Sequence, residues 1–187
     1  MDSDTQVWVI EKATGFLRRI GLKPGQIVLD FGCNRGNYTM PAATIVGERG
    51  KVYALDKDCP TLDKLQQSVT DKGITNVRCM CVSEAADIPL PPSSIDVALV
   101  YDVLHRGYFP QLDQRRRILQ NVRRVLRPGG LLSLYPTHLK RYAATFDSII
   151  RETESVGFTL CGESRRKLVH DGNLVRGKLF SFRPTGN

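Results

Sequence analysis

Val28-Leu29-Asp30-Phe31-Gly32-Cys33-Asn34-Arg35-Gly36 is an apolar run that ends in a carboxylate and passes directly into a turn with glycines four apart. Such a turn lets backbone N–H groups come close to a ligand, and a buried strand ahead of it aims the turn at one edge of a sheet. The pattern is not the dinucleotide fingerprint, which wants glycines at 32, 34 and 37 where this chain has Gly32, Asn34 and Asn37. A phosphate loop of the G-x-x-x-x-G-K-[ST] kind is also absent from the sequence. A second carboxylate, Asp56, closes the next apolar run twenty residues past Gly36. Its two acceptor oxygens suit a diol, although an aspartate there can also open a loop or cap the helix after Pro60.

Both carboxylates sit in an alternation of short β-branched runs with longer stretches of helical period, the pattern of βαβ units around a parallel sheet. An amphipathic helix is predicted over Val7 to Ile20, then a strand over Gln26 to Phe31 and a helix over Tyr38 to Val46 whose early Pro41 is tolerated in its first turn. Lys51 to Leu55 and Val77 to Val82 read as strands, separated by a helix with Leu62, Leu65 and Val69 on one face. Ile95 to Val100 reads as a strand covered on both faces, followed by a helix over Leu112 to Leu126 and a strand over Leu131 to Tyr135. Phe146, Ile149, Ile150 and Val156 mark a last helix, and Phe158 to Cys161 and Lys178 to Phe182 are candidate final strands.

Two further stretches complete the pattern: Ser83-Glu84-Ala85-Ala86-Asp87-Ile88-Pro89-Leu90 with Ser94-Ile95-Asp96-Val97, and the turn Leu126-Arg127-Pro128-Gly129-Gly130-Leu131-Leu132. In order and spacing, Gln26 to Pro136 resembles the class I S-adenosylmethionine-dependent methyltransferases, in the ubiquinone-biosynthesis-like branch. Asp30 to Gly36 is similar to that family's D/E-x-G-x-G-x-G motif, with Asn34 in place of the middle glycine. Asparagine tolerates a positive φ, so the turn is expected to survive the change.

The resemblance implies a Rossmann-like α/β fold: a doubly wound, mostly parallel seven-stranded sheet with helices on both faces and an antiparallel strand near the C-terminus. It implies S-adenosyl-L-methionine as the cofactor. Asp30, Gly32, Cys33, Asn34 and Gly36 would contact it from the turn, Asp56 would accept both ribose hydroxyls, and Lys57 would lie beside the adenine. Glu84, with the amide of Ala85, would read the adenine, and Tyr101 would border the cofactor from the fourth strand.

Open α/β sheets bind ligands beyond the carboxyl ends of their strands, which places the methyl acceptor over Tyr101, Asp102, His105, Tyr135, Thr137 and His138. In-line displacement from a sulfonium mainly needs alignment and a deprotonated nucleophile. His105, which titrates near neutrality, is the candidate base, with Asp102 and His138 beside it; the competing reading is a loop histidine that only hydrogen-bonds. His105, His138 and His170 with Asp102 are able in principle to converge on a metal. Without local ligand spacing no metal is assigned.

The expected activity is methyl transfer to a small-molecule acceptor. Methylation of RNA or protein is the alternative suggested by a net charge of +8 and the arginines of the 112–126 helix, and nucleic acid is the less favoured partner. A non-catalytic cofactor-binding or partner-binding module is the alternative suggested by Asn34. Little sequence is left over to build a lid, so the pocket is expected to be open or to be completed by a second subunit in a homodimer. The length of 187 residues, 41% hydrophobic and 25% charged, fits one domain over 1–187. No run approaches a membrane span, and the acidic start, Met1 to Ile10, has the wrong charge order for a secretory signal, so a cytoplasmic location is expected. The five cysteines fit no disulfide or zinc framework and read as reduced, mostly buried thiols, with Cys79 and Cys81 on an internal strand.

Overall fold

The described part of the chain, residues 3–82, 88–105, 108–139 and 144–186 of a computed structural model, is organised by its apolar strands. β1 (Ile27–Phe31), β2 (Lys51–Asp56), β3 (Val77–Cys81), β4 (Ile95–Tyr101) and β5 (Leu126–Tyr135) run parallel. β6 (Phe158–His170) and β7 (Asn173–Pro184) form an antiparallel hairpin, and β7 pairs antiparallel with β5. The order β3-β2-β1-β4-β5-β7-β6 makes a seven-stranded sheet whose direction of winding reverses between β1 and β4. At such a switch point the connections leave in opposite directions and open a crevice beyond the strand ends. The register Phe31↔Val100 sets Gly32 and Tyr101 side by side at that crevice.

Successive strand residues face opposite sides, so Val28, Val97 and Leu99 pack on one face while Leu29, Ala98 and Val100 pack on the other. The first face is covered by α1 (Ser3–Glu11), α2 (Ala13–Ile20) and α3 (Thr39–Val46) through Trp8, Phe16, Leu17 and Ala42. The second is covered by α5 (Leu112–Val125) and α6 (Phe146–Glu154) through Ile118, Leu119, Val122 and Ile149. α4 (Cys59–Asp71) seats Leu62, Leu65 and Val69 against Ala54 and Cys33. Asp58 caps it, accepting from the Thr61 amide at 3.1 Å.

The structure differs from the sequence expectations in four places. The N-terminal helix is two helices broken at Lys12, which lets Trp8 and Phe16 meet with their ring centroids 5.8 Å apart. β3 is an edge strand, so Cys81 is exposed rather than core, and it is bonded to Cys59 with 5.4 Å between their Cα atoms. The three free cysteines are Cys33, Cys79 and Cys161, of which only Cys33 is buried. The final hairpin is far longer than its apolar patches. Its middle alternates exposed with half-buried residues, so hydrophobicity marks only its two ends. Among the described residues no helix is long and apolar enough to cross a membrane.

Candidate active site

At the crevice a cavity of about 490 Å³ is lined by Asp30, Gly32, Cys33, Asn34, Asp56, Lys57, Tyr101 and Asp102, eight of the residues expected at the site. The turn after β1 is anchored by the amides of Gly32 and Cys33, which donate to the Leu55 carbonyl at 2.8 and 3.1 Å. Gly32 has φ +75°, and a Cβ there would fall 2.1 Å from Val103. Gly36 does not line the cavity; its φ is +80° and a Cβ would strike Leu65 at 2.4 Å, so its task is to let α4 pack against the turn. Asn34 takes φ 47°, the left-handed conformation expected of it.

Asp56 binds the turn to the end of β2. Its Oδ2 accepts from the Asn34 amide at 2.7 Å and its Oδ1 from the Asp58 amide at 3.0 Å. Each oxygen keeps a further lone pair, so the carboxylate still offers two acceptors to a diol. Lys57 places its Nζ 5.0 Å from the Tyr108 ring centroid, a cation–π contact at the cavity wall. Glu84 and Ala85 lie outside the described residues.

Asp30 is almost fully buried and accepts from the Thr39 hydroxyl at 2.6 Å. Burial pushes its carboxyl up to about 7, with Thr39 pulling it down and nearby Asp56 adding to the rise. Burial also pushes the Cys33 thiol up, which leaves it a packing residue and not a nucleophile. Tyr101 is held in the core, with its hydroxyl 2.7 Å from that of Ser133 and its ring edge-on to Tyr38 at 4.7 Å.

Beyond β4 and β5 the two histidines expected at the acceptor edge, His105 and His138, come together with His170. The rings of His105, His138 and His170 stand in a row, with centroids 4.7 and 4.6 Å apart, and Tyr108 stacks on the far side of His105 at 4.5 Å. Asp102 accepts from the Thr137 hydroxyl and has its Oδ2 2.6 Å from His170 Nδ1. His105 and His138 line a second cavity of about 460 Å³, whereas Asp102 lines the first, so the cluster that these three form with His170 lies between the two. Burial and neighbouring His138 hold the His105 imidazole below its ordinary value, against a smaller upward pull from Asp102. The shift favours the neutral imidazole, the form able to accept a proton.

The tip of the β6–β7 hairpin supplies what the sequence reading did not assign. Val169, Asp171 and Gly172 line the first cavity, so the chain covers part of its own pocket. Asp171 and Gly172 form a two-residue turn with φ 48° and 77°, flanked by the pair His170↔Asn173. An Asp-Gly pair between the apolar pairs Leu168-Val169 and Leu174-Val175 is the hairpin signal that would have located it. Tyr38 secures the tip by accepting from the Val169 amide at 2.9 Å.

The switch-point cavity, the glycine turn and the carboxylate at the end of β2 define a methyltransferase domain of the S-adenosylmethionine-dependent class. The chain belongs to the methyltransferase-domain family, whose sequence pattern matches residues 28–130. It is 26% identical over 163 residues to the ubiquinone/menaquinone biosynthesis C-methyltransferase UbiE of Vibrio vulnificus, covering 87% of this chain and 59% of that protein. It is 30% identical over 115 residues to a demethylmenaquinone methyltransferase of Geobacillus stearothermophilus, covering 62% of this chain and 47% of that one. The chain thus spans about half to three-fifths of the length of these relatives. Its fold matches that of a SAM dependent methyltransferase from Aquifex aeolicus with TM-score 0.73 at 22% identity, over 94% of this chain and 92% of the other.

Proposed function

We propose that the chain transfers a methyl group from S-adenosylmethionine to a small-molecule acceptor. The observation that carries this reading is the continuity of the first cavity, which has the Gly32–Asn34 turn and Asp56 at its wall and Tyr101 and Asp102 at the acceptor edge. When bound, the cofactor supplies an electrophilic methyl on a positively charged sulfur. Asp56 would take the ribose hydroxyls, the turn amides would hold the methionine end, and Asp30 would set a negative charge near the cationic part. His105, neutral and beside the second cavity, would accept the acceptor's proton where the acceptor carries one, with His138 and Asp102 aligning it.

A small acceptor is favoured over RNA because three of the five α5 arginines that suggested a nucleic-acid face, Arg115, Arg123 and Arg124, are engaged within the chain, which leaves Arg116 and Arg117 exposed. Arg115 pairs with Glu152 at 3.0 Å. Arg123 donates to the Gly157 carbonyl at 2.7 Å, and Arg124 to those of Ile88 and Leu90 at 2.7 and 2.9 Å. A second cavity of about 460 Å³ beside the histidines is of small-ligand size. Of the two relatives named above, one is by name a C-methyltransferase of ubiquinone/menaquinone biosynthesis and the other a demethylmenaquinone methyltransferase.

Calorimetric titration of S-adenosylmethionine and S-adenosylhomocysteine into wild type and Asp56→Ala tests the cofactor step. Saturable binding weakened at least about tenfold by the substitution is expected, and a folded wild type that binds neither compound would end the methyltransferase reading.

A further inference from the structure

We propose that Asp102, His138 and His170 form a binding site for one divalent transition-metal ion of the zinc class at the acceptor edge of the cavity. One ligand atom from each lies within 4.8 Å of the others, and all three side chains are half-buried. Two imidazoles and a carboxylate are the donor set of borderline ions such as Zn²⁺, Co²⁺ and Fe²⁺, and three protein ligands leave a position open. Metal–ligand bonds of about 2.1 Å place tetrahedral donors about 3.4 Å apart, so the 2.6 Å contact between Asp102 and His170 opens, while the other pairs, all within 4.8 Å, adjust toward the same spacing.

The backbone around the cluster is unusual in a concerted way. Among the described residues five non-glycine residues have positive φ, and three of them are Asp102, His138 and Asp171. Left-handed backbone costs energy that the surrounding fold must offset, and such residues concentrate where side chains are aimed for function. Three separate chain segments have turned these groups toward one point: the ends of β4 and β5, and the hairpin tip.

The surroundings supply outer partners. Asp171 sets its Oδ2 3.6 Å from His170 Nε2 and 3.9 Å from His138 Nε2, adding a second negative charge. With Nδ1 of His170 turned to the ion, Nε2–H faces Asp171, the carboxylate–histidine–metal relation that fixes ring orientation. Thr137 holds Asp102 from behind through its hydroxyl. Because Asp102 lines the cofactor-side cavity and His138 the second one, the open position would serve a ligand lone pair in either.

The test uses the whole chain freed of metal with chelator and then titrated with Co²⁺ and Zn²⁺, following visible cobalt absorption and bound metal per chain. One equivalent is expected, with affinity reduced at least about tenfold in His138→Ala, His170→Ala and the isosteric Asp102→Asn, each checked for native circular dichroism. Less than stoichiometric binding by wild type would overturn the proposal, as would stoichiometric binding unchanged in all three variants, which would place the ion elsewhere on the chain. Asp102→Asn keeps the site testable if a histidine variant fails to fold. S-adenosylhomocysteine titration of the same metal-free protein reads the cofactor site separately, so failure of one reading is distinguishable from failure of the other.

Discussion

His170 and Asp102, 68 residues apart, meet with 2.6 Å between Nδ1 and Oδ2. One ends β6, the first arm of the β6–β7 hairpin, and the other follows β4, so this contact ties the antiparallel edge of the sheet to its switch point. The tip cannot leave the cavity without breaking it and the Val169-to-Tyr38 hydrogen bond together. The hairpin therefore works as a fixed partial cover over the crevice and as a carrier of His170 and Asp171.

Asp30 makes stability and ligand binding depend on pH in opposite senses. Its folded value, about 7, stands above the ordinary 3.8, so the unfolded chain gives up the proton first as pH rises. Its contribution is neutral below about 4, becomes increasingly unfavourable between the two values, and stays at its full cost above about 7. A cationic ligand beside the carboxylate favours the ionised form and reverses that cost. Urea midpoints for wild type should fall from pH 5 to pH 8 relative to Asp30→Asn, while S-adenosylmethionine affinity of wild type should rise through pH 7. Parallel pH profiles of the two proteins would show that Asp30 does not titrate in this window.

The disulfide should stabilise the fold where β2 and β3 end beside the cavity. Cys59 and Cys81 close a loop across a separation of 22 residues, worth about 3 kcal/mol in the chain-entropy account. Reductant is expected to lower the melting temperature of wild type and leave Cys59→Ser unchanged. Equal effects of reductant on both proteins would mean that the bond contributes nothing to stability.

What was legible in the sequence was what neighbouring residues encode. The glycine turn, Asp56 and the parallel strands each announce themselves within a few positions, since a buried strand and a tight turn restrict residue type locally. The Cys59–Cys81 pairing was not legible, because it depends on the register Asp56↔Cys81 between β2 and β3, which puts a residue three past the end of one strand beside the end of another. The convergence of Asp102, His138 and His170 needs the order β1-β4-β5-β7 to be known, and no local spacing carries it. The hairpin was hidden by Arg165-Arg166-Lys167, whose polarity masks a strand that leaves the core and returns to it at Leu168 and Val169.

Arg115 illustrates how a sequence feature changes meaning once buried. Its Nε and Nη2 reach Glu152 Oε1 and Oε2 at 3.0 and 3.4 Å, and its Nη1 donates to the Phe109 carbonyl at 2.8 Å. Both side chains of the pair are over nine-tenths buried. Removing one partner leaves the other charge buried and unpaired, so Arg115→Ala should lose about 3–5 kcal/mol by urea unfolding, whereas the volume-matched double variant Arg115→Met with Glu152→Met should lose much less. Phe109 also lines the cofactor-side cavity, so the single variant should weaken S-adenosylmethionine binding as well. Equal losses in the single and double variants would show that packing, and not the charge pair, joins α5 to α6.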